Sequence, residues 1–339
     1  MFKPQYTISP KLLSNIKEVA VLVAQLNQNR YPETILFELE QNAQVRSSHS
    51  STSIEGNPLP LTEVKKILKN KPEHIRDSQQ EVLNYNQALE YLKKQKQGLD
   101  LKLILKIQAL VMDKLLPKAK LGKLRKEPVL INDPQSGRTV FLPPDHTDVS
   151  KLIKDLIDFY KKNTGKLDPL ILSGIFHKQF VIIHPFIDGN GRTTRLITKQ
   201  LLAQLGLNTF NLFSFENYYN SNVSKYFNKV GVTGNYYDIC HEIDFTEWLE
   251  YFTDGIIDEL VRVNRDLNQS SISPKQNLAP HHKKIIKYIE KHGYINDKLY
   301  SKLTDRAKAT RSLDFKKLIG LDLIERQGKG KNTHYKLKT

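Results

Sequence analysis

Reactive side chains are concentrated in one stretch of the chain, HPFIDGNGRTTR, at positions 184–195. Gly189 and Gly191 allow the backbone to take positive φ and to approach a ligand without Cβ atoms in the way. The helix that follows would begin with free N–H groups and the positive end of its dipole, which together form an anion site. The stretch therefore predicts a phosphate-binding loop between two helices.

Charged side chains in the same stretch supply the other components of phosphate chemistry. Arg192 and Arg195 lie three residues apart on the predicted helix and can hold phosphate oxygens in fork geometry. Asp188 precedes the glycines and is placed to bind a hard cation such as Mg²⁺. His184 ends the preceding helix and can take a proton from an incoming hydroxyl. The pattern predicts nucleotidyl or phosphoryl transfer.

Two simpler interpretations compete with this one. A glycine-rich turn with a capping aspartate and solvated arginines would explain a lone GNG, but not the coincidence of all these residue types. A zinc site through His177, His184 and Asp188 would need one continuous helix face, and Pro185 with the glycines interrupts that helix. His177 is therefore predicted to be a buried core histidine.

The stretch 184–195 resembles the signature of the Fic (filamentation induced by cAMP) family, His-Pro-Phe-x-(Asp/Glu)-Gly-Asn-Gly-Arg-x-x-Arg, and matches it at every specified position. The resemblance implies an adenylyltransferase that transfers AMP from ATP to a Ser, Thr or Tyr hydroxyl and releases pyrophosphate. The expected acceptor is a target protein or the chain itself. The retained Gly-Asn-Gly-Arg run favours AMP transfer over kinase chemistry.

The resemblance also implies a role for each residue of the signature. His184 would deprotonate the target hydroxyl, Asp188 would coordinate Mg²⁺, and the two arginines would hold the β- and γ-phosphates. Tyr226 resembles the nucleotide-contacting tyrosine of the family by its distance after the signature; the alternative is a helix-core aromatic. The full set of implied nucleotide contacts is Glu55, His184, Gly189, Asn190, Gly191, Arg192, Thr193, Thr194, Arg195 and Tyr226.

A second motif lies upstream, at residues 51–56. Considered alone, it is the end of a helix with a glycine stop, where most glutamates are solvated. The run Ser51-x-x-x-Glu55-Gly56 is similar, however, to the inhibitory motif of one class of Fic proteins. The resemblance implies that Glu55 pairs with Arg195 and fills the space of the γ-phosphate, because a carboxylate competes with phosphate for a guanidinium. We therefore expect autoinhibition.

Helical periodicity covers most of the chain, so the predicted fold class is mainly α. The resemblance makes this a Fic-type helical bundle with a β-hairpin flap and a C-terminal winged helix-turn-helix. Two β-prone runs flank the turn-rich NDPQSG and predict the hairpin. As a flap it would pair with the target backbone; a plain structural hairpin is the alternative. The predicted docking residues are Val129, Leu130, Ile131, Thr139, Val140 and Phe141.

Motifs and composition divide the chain into four segments. Residues 1–95 form an N-terminal helical region that carries the inhibitory motif, and residues 96–266 form the Fic core. Residues 267–280 are polar, contain Ser and Pro, and predict a linker. Residues 281–339 form the predicted winged helix-turn-helix.

Basic charge is concentrated in the tail. Residues 280–339 contain 16 Lys and Arg against 6 Asp and Glu, so +10 of the net charge of +16 lies there. Such segregation favours a polyanionic partner, although winged helices also dock proteins or dimerise. DNA, a protein and a second copy of the chain are therefore all candidate partners. The candidate DNA contacts are Arg311, Lys316, Lys317, Lys329 and Lys331.

Other features limit the function classes. No run of about 18 apolar residues and no apolar signal segment is present, which predicts a cytoplasmic protein without a membrane partner. The single cysteine, Cys240, excludes an internal disulfide framework and is predicted to pack in a helix interior. Two alternative functions remain: a DNA-binding regulator whose Fic core senses nucleotide, and removal of AMP from modified targets with a water positioned by Glu55.

Overall fold

The computed structural model forms two compact units. The first comprises residues 1–26 and 42–261, and the second comprises residues 27–41 and 262–339. Helices dominate both, as the periodicity predicts. The structure describes residues 2–29, 31–95, 98–133, 136–207, 211–272 and 278–338.

The N-terminal part of the chain is built from five helices. A proline, Pro32, directly precedes the second of them, where its fixed φ suits a helix start. Asp100 caps the fifth by accepting a hydrogen bond from the backbone N–H of Leu103. The helices are α1 Pro10–Gln28, α2 Glu33–Ile54, α3 Leu61–Lys69, α4 Asp77–Lys93 and α5 Leu101–Val111.

The central helix of the first unit is α7, which packs against α6 and α8. All of its residues except Pro169 and Val181 are buried, as expected for a helix that is apolar on every side. Gly174 permits close packing, because a Cβ there would lie 2.6 Å from Leu249 Cδ2. The later helices are α6 His146–Asn163, α7 Pro169–Ile183, α8 Asn190–Leu202, α9 Glu216–Ser221, α10 Val223–Val230, α11 Tyr236–Ile239 and α12 Thr246–Ile272.

The predicted hairpin is present, as strands β1 Ile131–Asn132 and β2 Thr139–Leu142 in antiparallel pairing. Strand β2 also pairs in parallel with β3, Gly234–Asn235, so β1 is an edge strand of the order β1-β2-β3. The predicted docking residues Val129 and Leu130 lie before β1, not within it. Two prolines follow β2 at positions 143 and 144. Because proline has no backbone N–H, they cannot donate the hydrogen bonds that would extend the pairing to Val129 and Leu130.

The C-terminal part of the second unit is three helices followed by an antiparallel hairpin, the predicted order. Three buried isoleucines of the first of these helices, Ile285, Ile286 and Ile289, belong to its core. The elements are α13 Pro280–His292, α14 Asp297–Tyr300, α15 Lys308–Gly320, β4 Ile324–Gln327 and β5 His334–Leu337.

Two predictions about connecting regions need correction or restriction. Helix α12 continues to Ile272, so the first residues of the predicted linker 267–280 are helical, and residues 273–277 lie outside the described residues. Cys240 lies at the C-terminal cap of α11, a helix of four residues, rather than in a helix interior, and it packs beside Phe141. Within the described ranges, no helix is both long enough and apolar enough to cross a membrane.

Candidate active site

The loop between α7 and α8 is held in shape by its own side chains. His184 caps α7 in the left-handed conformation, with φ of 49°. The proline that follows it disfavours continuation of the helix. Asn190 then closes the loop: its Oδ1 accepts from the backbone N–H of Phe186 at 2.9 Å, and its Nδ2 donates to the Phe186 carbonyl at 2.8 Å. Gly189 has φ of 82°, and a Cβ there would lie 2.8 Å from the Met112 side chain. The Asn190 side chain thus stabilises the loop through two hydrogen bonds to its backbone.

His184 is in a form that can accept a proton. The pKa of its imidazole is lowered to about 4, chiefly by burial; the nearby Arg125 charge acts in the same direction, and the hydrogen bond to Val181 opposes both. The ring is therefore neutral at pH 7. Its Nδ1 lies 3.3 Å from the Val181 carbonyl. When Nδ1 carries the proton and donates it to that carbonyl, the lone pair of Nε2 is left for a substrate.

Arg125 holds His184, and no sequence pattern marked it. Its side chain is 3% exposed, and Nε donates to the His184 carbonyl at 2.8 Å. Its other nitrogens donate to the carbonyls of Glu127 at 3.2 Å and Pro144 at 2.5 Å, on either side of the hairpin. Its backbone N–H donates to the Pro185 carbonyl at 2.9 Å. The buried guanidinium of Arg125 therefore joins the residues that flank the hairpin to the loop between α7 and α8.

Arg195 is fully buried and is bound by the upstream motif. Its Nε donates to Ser51 Oγ at 2.7 Å, and its Nη2 donates to the Ser51 carbonyl at 2.8 Å and to Glu55 Oε1 at 2.7 Å. Burial lowers the pKa of the guanidinium, but the charge and hydrogen bond of Glu55, together with Tyr226 and Tyr85, outweigh this and raise it above the ordinary value. The predicted pair between Glu55 and Arg195 is present in the structure.

The Glu55 carboxylate lies against the first turn of α8. A Cβ on Gly191 would be 2.1 Å from Glu55 Oε1, so a side chain at this position would displace the carboxylate. Burial raises the pKa of Glu55, but Arg195 and Arg192 hold it below the ordinary value. An ionised carboxylate therefore occupies part of the anion site that the helix N-terminus creates.

Arg192 is also buried, at 4% exposure, but its hydrogen bonds are incomplete. Nη2 donates to Asp188 Oδ1 at 3.2 Å, and Nη1 lies 3.5 Å from Glu81 Oε1. Among the described residues, Nε and Nη1 have no hydrogen-bond partner. Such unsatisfied buried donors are suited to the oxygens of a phosphate.

Asp188 meets the requirements of a Mg²⁺ ligand. Its side chain is 53% exposed beside the loop. The Gln108 side chain fixes the loop there by donating from Nε2 to the Asp188 carbonyl at 3.2 Å. Mg²⁺ in phosphate sites is commonly held by one or two carboxylates and the substrate phosphates, and this donor set fits that pattern.

A cavity of about 470 Å³ lies beside His184 and the start of α8, and Arg192 and Asp188 are not among the residues that line it. It is lined by Glu55, His184, Gly191 and Arg195 at one side and by Ile131 and Val140 of the hairpin at another. Its volume is within the range of ordinary ligand pockets. His184, the start of α8 and the hairpin therefore line the same cavity.

Comparison with known proteins agrees with this geometry. Residues 98–202 match the family model described as Fic/DOC. Residues 98–202 form a Fic-family domain. Protein adenylyltransferase Fic of Drosophila erecta is 28% identical over 225 residues, which cover 59% of this chain and 44% of that protein. Protein adenylyltransferase fic-1 of Caenorhabditis elegans is 29% identical over 168 residues, covering 47% and 31%. The chain thus spans less than half the length of these curated relatives.

A solved structure extends the likeness in fold beyond the Fic domain. The crystal structure of a Fic family protein from Desulfovibrio desulfuricans G20 superposes with a TM-score of 0.67 at 21% identity, covering 99% of this chain and 98% of that one. At this identity the likeness concerns the fold alone. The predicted mainly helical Fic-type fold is confirmed.

The Fic domain does not bring every predicted nucleotide contact to the cavity. Thr193 and Thr194 are fully buried, and the Thr194 hydroxyl donates to the Asn190 carbonyl at 2.7 Å. Tyr226 lines the cavity, but its ring stacks on Tyr219 with centroids 4.8 Å apart. The two threonines therefore lie in the core beneath the site, whereas Tyr226 belongs both to the cavity wall and to a buried aromatic stack.

His177 occupies the core position that the sequence predicts. It is fully buried, and its ring nitrogens contact the hydroxyls of Tyr226 and Thr198, each at 3.0 Å. Both nitrogens are therefore engaged. A zinc site through His177, His184 and Asp188 has no support in this arrangement.

The predicted DNA contacts of the tail differ among themselves. Arg311 forms a paired ion bridge with Asp297, with N–O distances of 2.8 and 2.9 Å, and its third nitrogen donates to the Arg306 carbonyl at 2.8 Å. This guanidinium is committed inside its own unit, in contrast to the prediction. Lys316, Lys317 and Lys329 are exposed, and the side chain of Lys331 lies outside what the structure describes.

Proposed function

We propose that this protein is an adenylyltransferase that transfers AMP from ATP to a hydroxyl side chain of a target protein and releases pyrophosphate. The observation that carries the proposal is the shared cavity, in which a neutral His184 stands beside the anion site of α8. The curated relatives carry the name protein adenylyltransferase, which supports the same reaction class.

In the proposed mechanism, His184 acts as the general base. Its Nε2 takes the proton of the target hydroxyl as that oxygen attacks the α-phosphorus. The bond from the α-phosphorus to the bridging oxygen breaks, and its electron pair leaves with pyrophosphate. Arg192 and the N–H groups at the start of α8 bind the phosphate oxygens. Mg²⁺, held by Asp188, would neutralise phosphate charge.

We further propose that the enzyme is autoinhibited. Glu55 engages Arg195, the guanidinium proposed to hold the γ-phosphate, at 2.7 Å. Ser51 takes two more donors of the same side chain. A γ-phosphate must displace this carboxylate to reach Arg195, since two anions cannot share the site without strong repulsion.

The hairpin is proposed to orient the target. As an edge strand, β1 offers unpaired backbone groups to which an extended target segment can add. Leu130, 59% exposed, lies directly before it as an apolar contact. Phe141 is 4% exposed and packs against Ile182, so it anchors the hairpin rather than meeting the target.

Two specific observations favour further candidate functions. The ionised Glu55 carboxylate in the cavity with His184 could activate a water and remove AMP from modified targets. The exposed Lys316, Lys317 and Lys329 in the three-helix and hairpin segment suit a winged helix that binds DNA phosphates.

The reaction is tested with the Glu55→Gly variant, ATP labelled in the α-phosphate and a cell lysate. We expect labelled protein bands, and their loss when His184→Ala is added to the same variant. DNA retention is measured on both proteins in parallel. Labelling that depends on His184 with unchanged DNA retention supports the enzyme, whereas absence of labelling from both proteins would support the nucleotide-sensing regulator.

A further inference from the structure

Three side chains with metal-ligand chemistry meet in the second unit, away from the Fic domain in sequence. His281 and His282 lie in the first turn of α13, and Asp314 lies on α15. Asp314 Oδ1 is 3.5 Å from His281 Nε2 and 3.4 Å from His282 Nε2. The ligand atoms of all three residues lie within 4.8 Å of one another.

His282 is the least explained member of this group. Its side chain is 4% exposed, and neither ring nitrogen has a hydrogen-bond partner among the described residues. Buried polar atoms nearly always have a partner, so an orphaned pair of nitrogens indicates an unseen water or ion. The 3.4 Å separation from Asp314 is longer than an ordinary N–H···O bond of about 2.7–3.2 Å.

The same separations match those between ligands of one metal ion. A tetrahedral zinc ion with bonds of about 2.0–2.1 Å places neighbouring ligand atoms roughly 3.4 Å apart. The two measured nitrogen-to-oxygen separations are 3.4 and 3.5 Å. Asp314 Oδ1 is therefore spaced from each imidazole as two ligands of one ion are, and the donor atoms of the two histidines lie within 4.8 Å of each other.

Neighbouring side chains orient the carboxylate for this purpose. Tyr300 Oη donates to Asp314 Oδ2 at 2.8 Å, and Arg306 Nε donates to the same oxygen at 2.9 Å. They leave Oδ1 directed toward the two imidazoles, with one bond from Arg306 Nη2 at 3.1 Å. Such outer contacts commonly fix ligating carboxylates. The Arg306 charge opposes a second cation, but its side chain is 35% exposed and partly screened by water.

We propose that His281, His282 and Asp314 form a zinc-binding site that ties the start of α13 to α15. The two Nε2 atoms and Oδ1 supply three ligands, and a water fills the fourth position. The ion would give the buried His282 Nε2 its missing partner. The site is independent of the adenylyltransferase proposal.

The test uses the full chain, freed of metal with a chelator and titrated with ZnCl₂ by calorimetry. We expect one bound equivalent and a higher unfolding temperature with zinc. His281→Ala is the primary variant, because this side chain is partly exposed and its removal leaves the pair of Asp314 with Arg306 intact. We expect it to weaken binding at least about tenfold.

His292→Ala is the matched control, since His292 is an exposed histidine of the same helix and lies outside the group. It should bind zinc like the unmodified chain. Titration with Co²⁺ should in addition give the visible absorption of a tetrahedral site, and His281→Ala should remove it. The proposal is overturned if the unmodified chain binds no zinc, or if His281→Ala binds it as tightly as His292→Ala does.

Discussion

The two arginines of the signature lie three residues apart on α8 and are in opposite states. Arg195 has donors bound to Ser51 and Glu55, whereas Arg192 is buried with two nitrogens that lack a hydrogen-bond partner among the described residues. The upstream motif therefore closes one end of the anion site and leaves the other end ready for an anion. The proposed inhibition would therefore act on one guanidinium rather than on the whole site.

Replacement of Arg195 should have the largest effect. Arg195→Gln removes the fully buried guanidinium that binds Ser51 and Glu55, whose own side chain is 28% exposed, so we expect a loss of about 1.5–3 kcal/mol in the free energy of unfolding. In the Glu55→Gly background, which removes that carboxylate, the same change should lower AMP transfer ~10²–10³-fold. Urea unfolding and label incorporation measure the two effects.

Replacement of Arg192 should separate activity from stability. Its partners Asp188 and Glu81 are partly exposed, at 53% and 26%, so Arg192→Gln should change the free energy of unfolding by about 1 kcal/mol or less. AMP transfer in the Glu55→Gly background should still fall about 10²-fold, because a phosphate contact is lost. If the two replacements lower the free energy of unfolding equally, the proposed difference between the bound Arg195 and the incompletely bonded Arg192 is wrong.

A third buried arginine, Arg125, sharpens the contrast, because its hydrogen-bond partners among the described residues are carbonyls. Arg125→Met removes the bond to the His184 carbonyl, and a small displacement of the base should lower AMP transfer about tenfold. Loss of the Arg125 charge should also raise the pKa of His184 from its low value. The acid limb of the pH–rate profile should therefore move to higher pH, which a purely structural defect would not cause.

The pair of Glu55 with Arg195 should give a smaller, pH-dependent effect. The pKa of Glu55 is held below its ordinary value of 4.5, so the pair stabilises the fold above that pH, and this contribution is lost as pH falls through the lower folded pKa. Relative to Glu55→Gln, the chain should be more stable at pH 6 to 7, and the difference should shrink in acid. A difference independent of pH would show that Glu55 is not ionised in the fold.

Local sequence predicted a loop between two helices here, because residues 184–189 join α7 to α8 and residues 190–195 begin α8. The pair of Glu55 with Arg195 joins residues 140 positions apart and could be expected only through the resemblance of two motifs. Arg125 and Gln108 reach 59 and 80 positions along the chain to carbonyls, and no residue pattern marks such a contact.

The errors at Thr193, Thr194 and Arg311 have two physical causes, which are the direction of a side chain on its helix and the partner that it meets there. Thr193 and Thr194 follow Arg192 on α8 but point about 100° and 200° around the axis from it, and thus into the core. Arg311 has the spacing of an exposed helix residue, yet Asp297 of a neighbouring helix binds it. Periodicity fixes the face of a residue but not its partner.

The central claim is that a competent AMP-transfer site is restrained by Glu55. The most direct test compares the unmodified chain with Glu55→Gly for incorporation of labelled AMP into protein, at equal concentration and with His184→Ala as the baseline. We predict low incorporation by the unmodified chain and at least about tenfold more by Glu55→Gly, since the carboxylate no longer competes for Arg195. Equal incorporation by the two proteins would contradict the account.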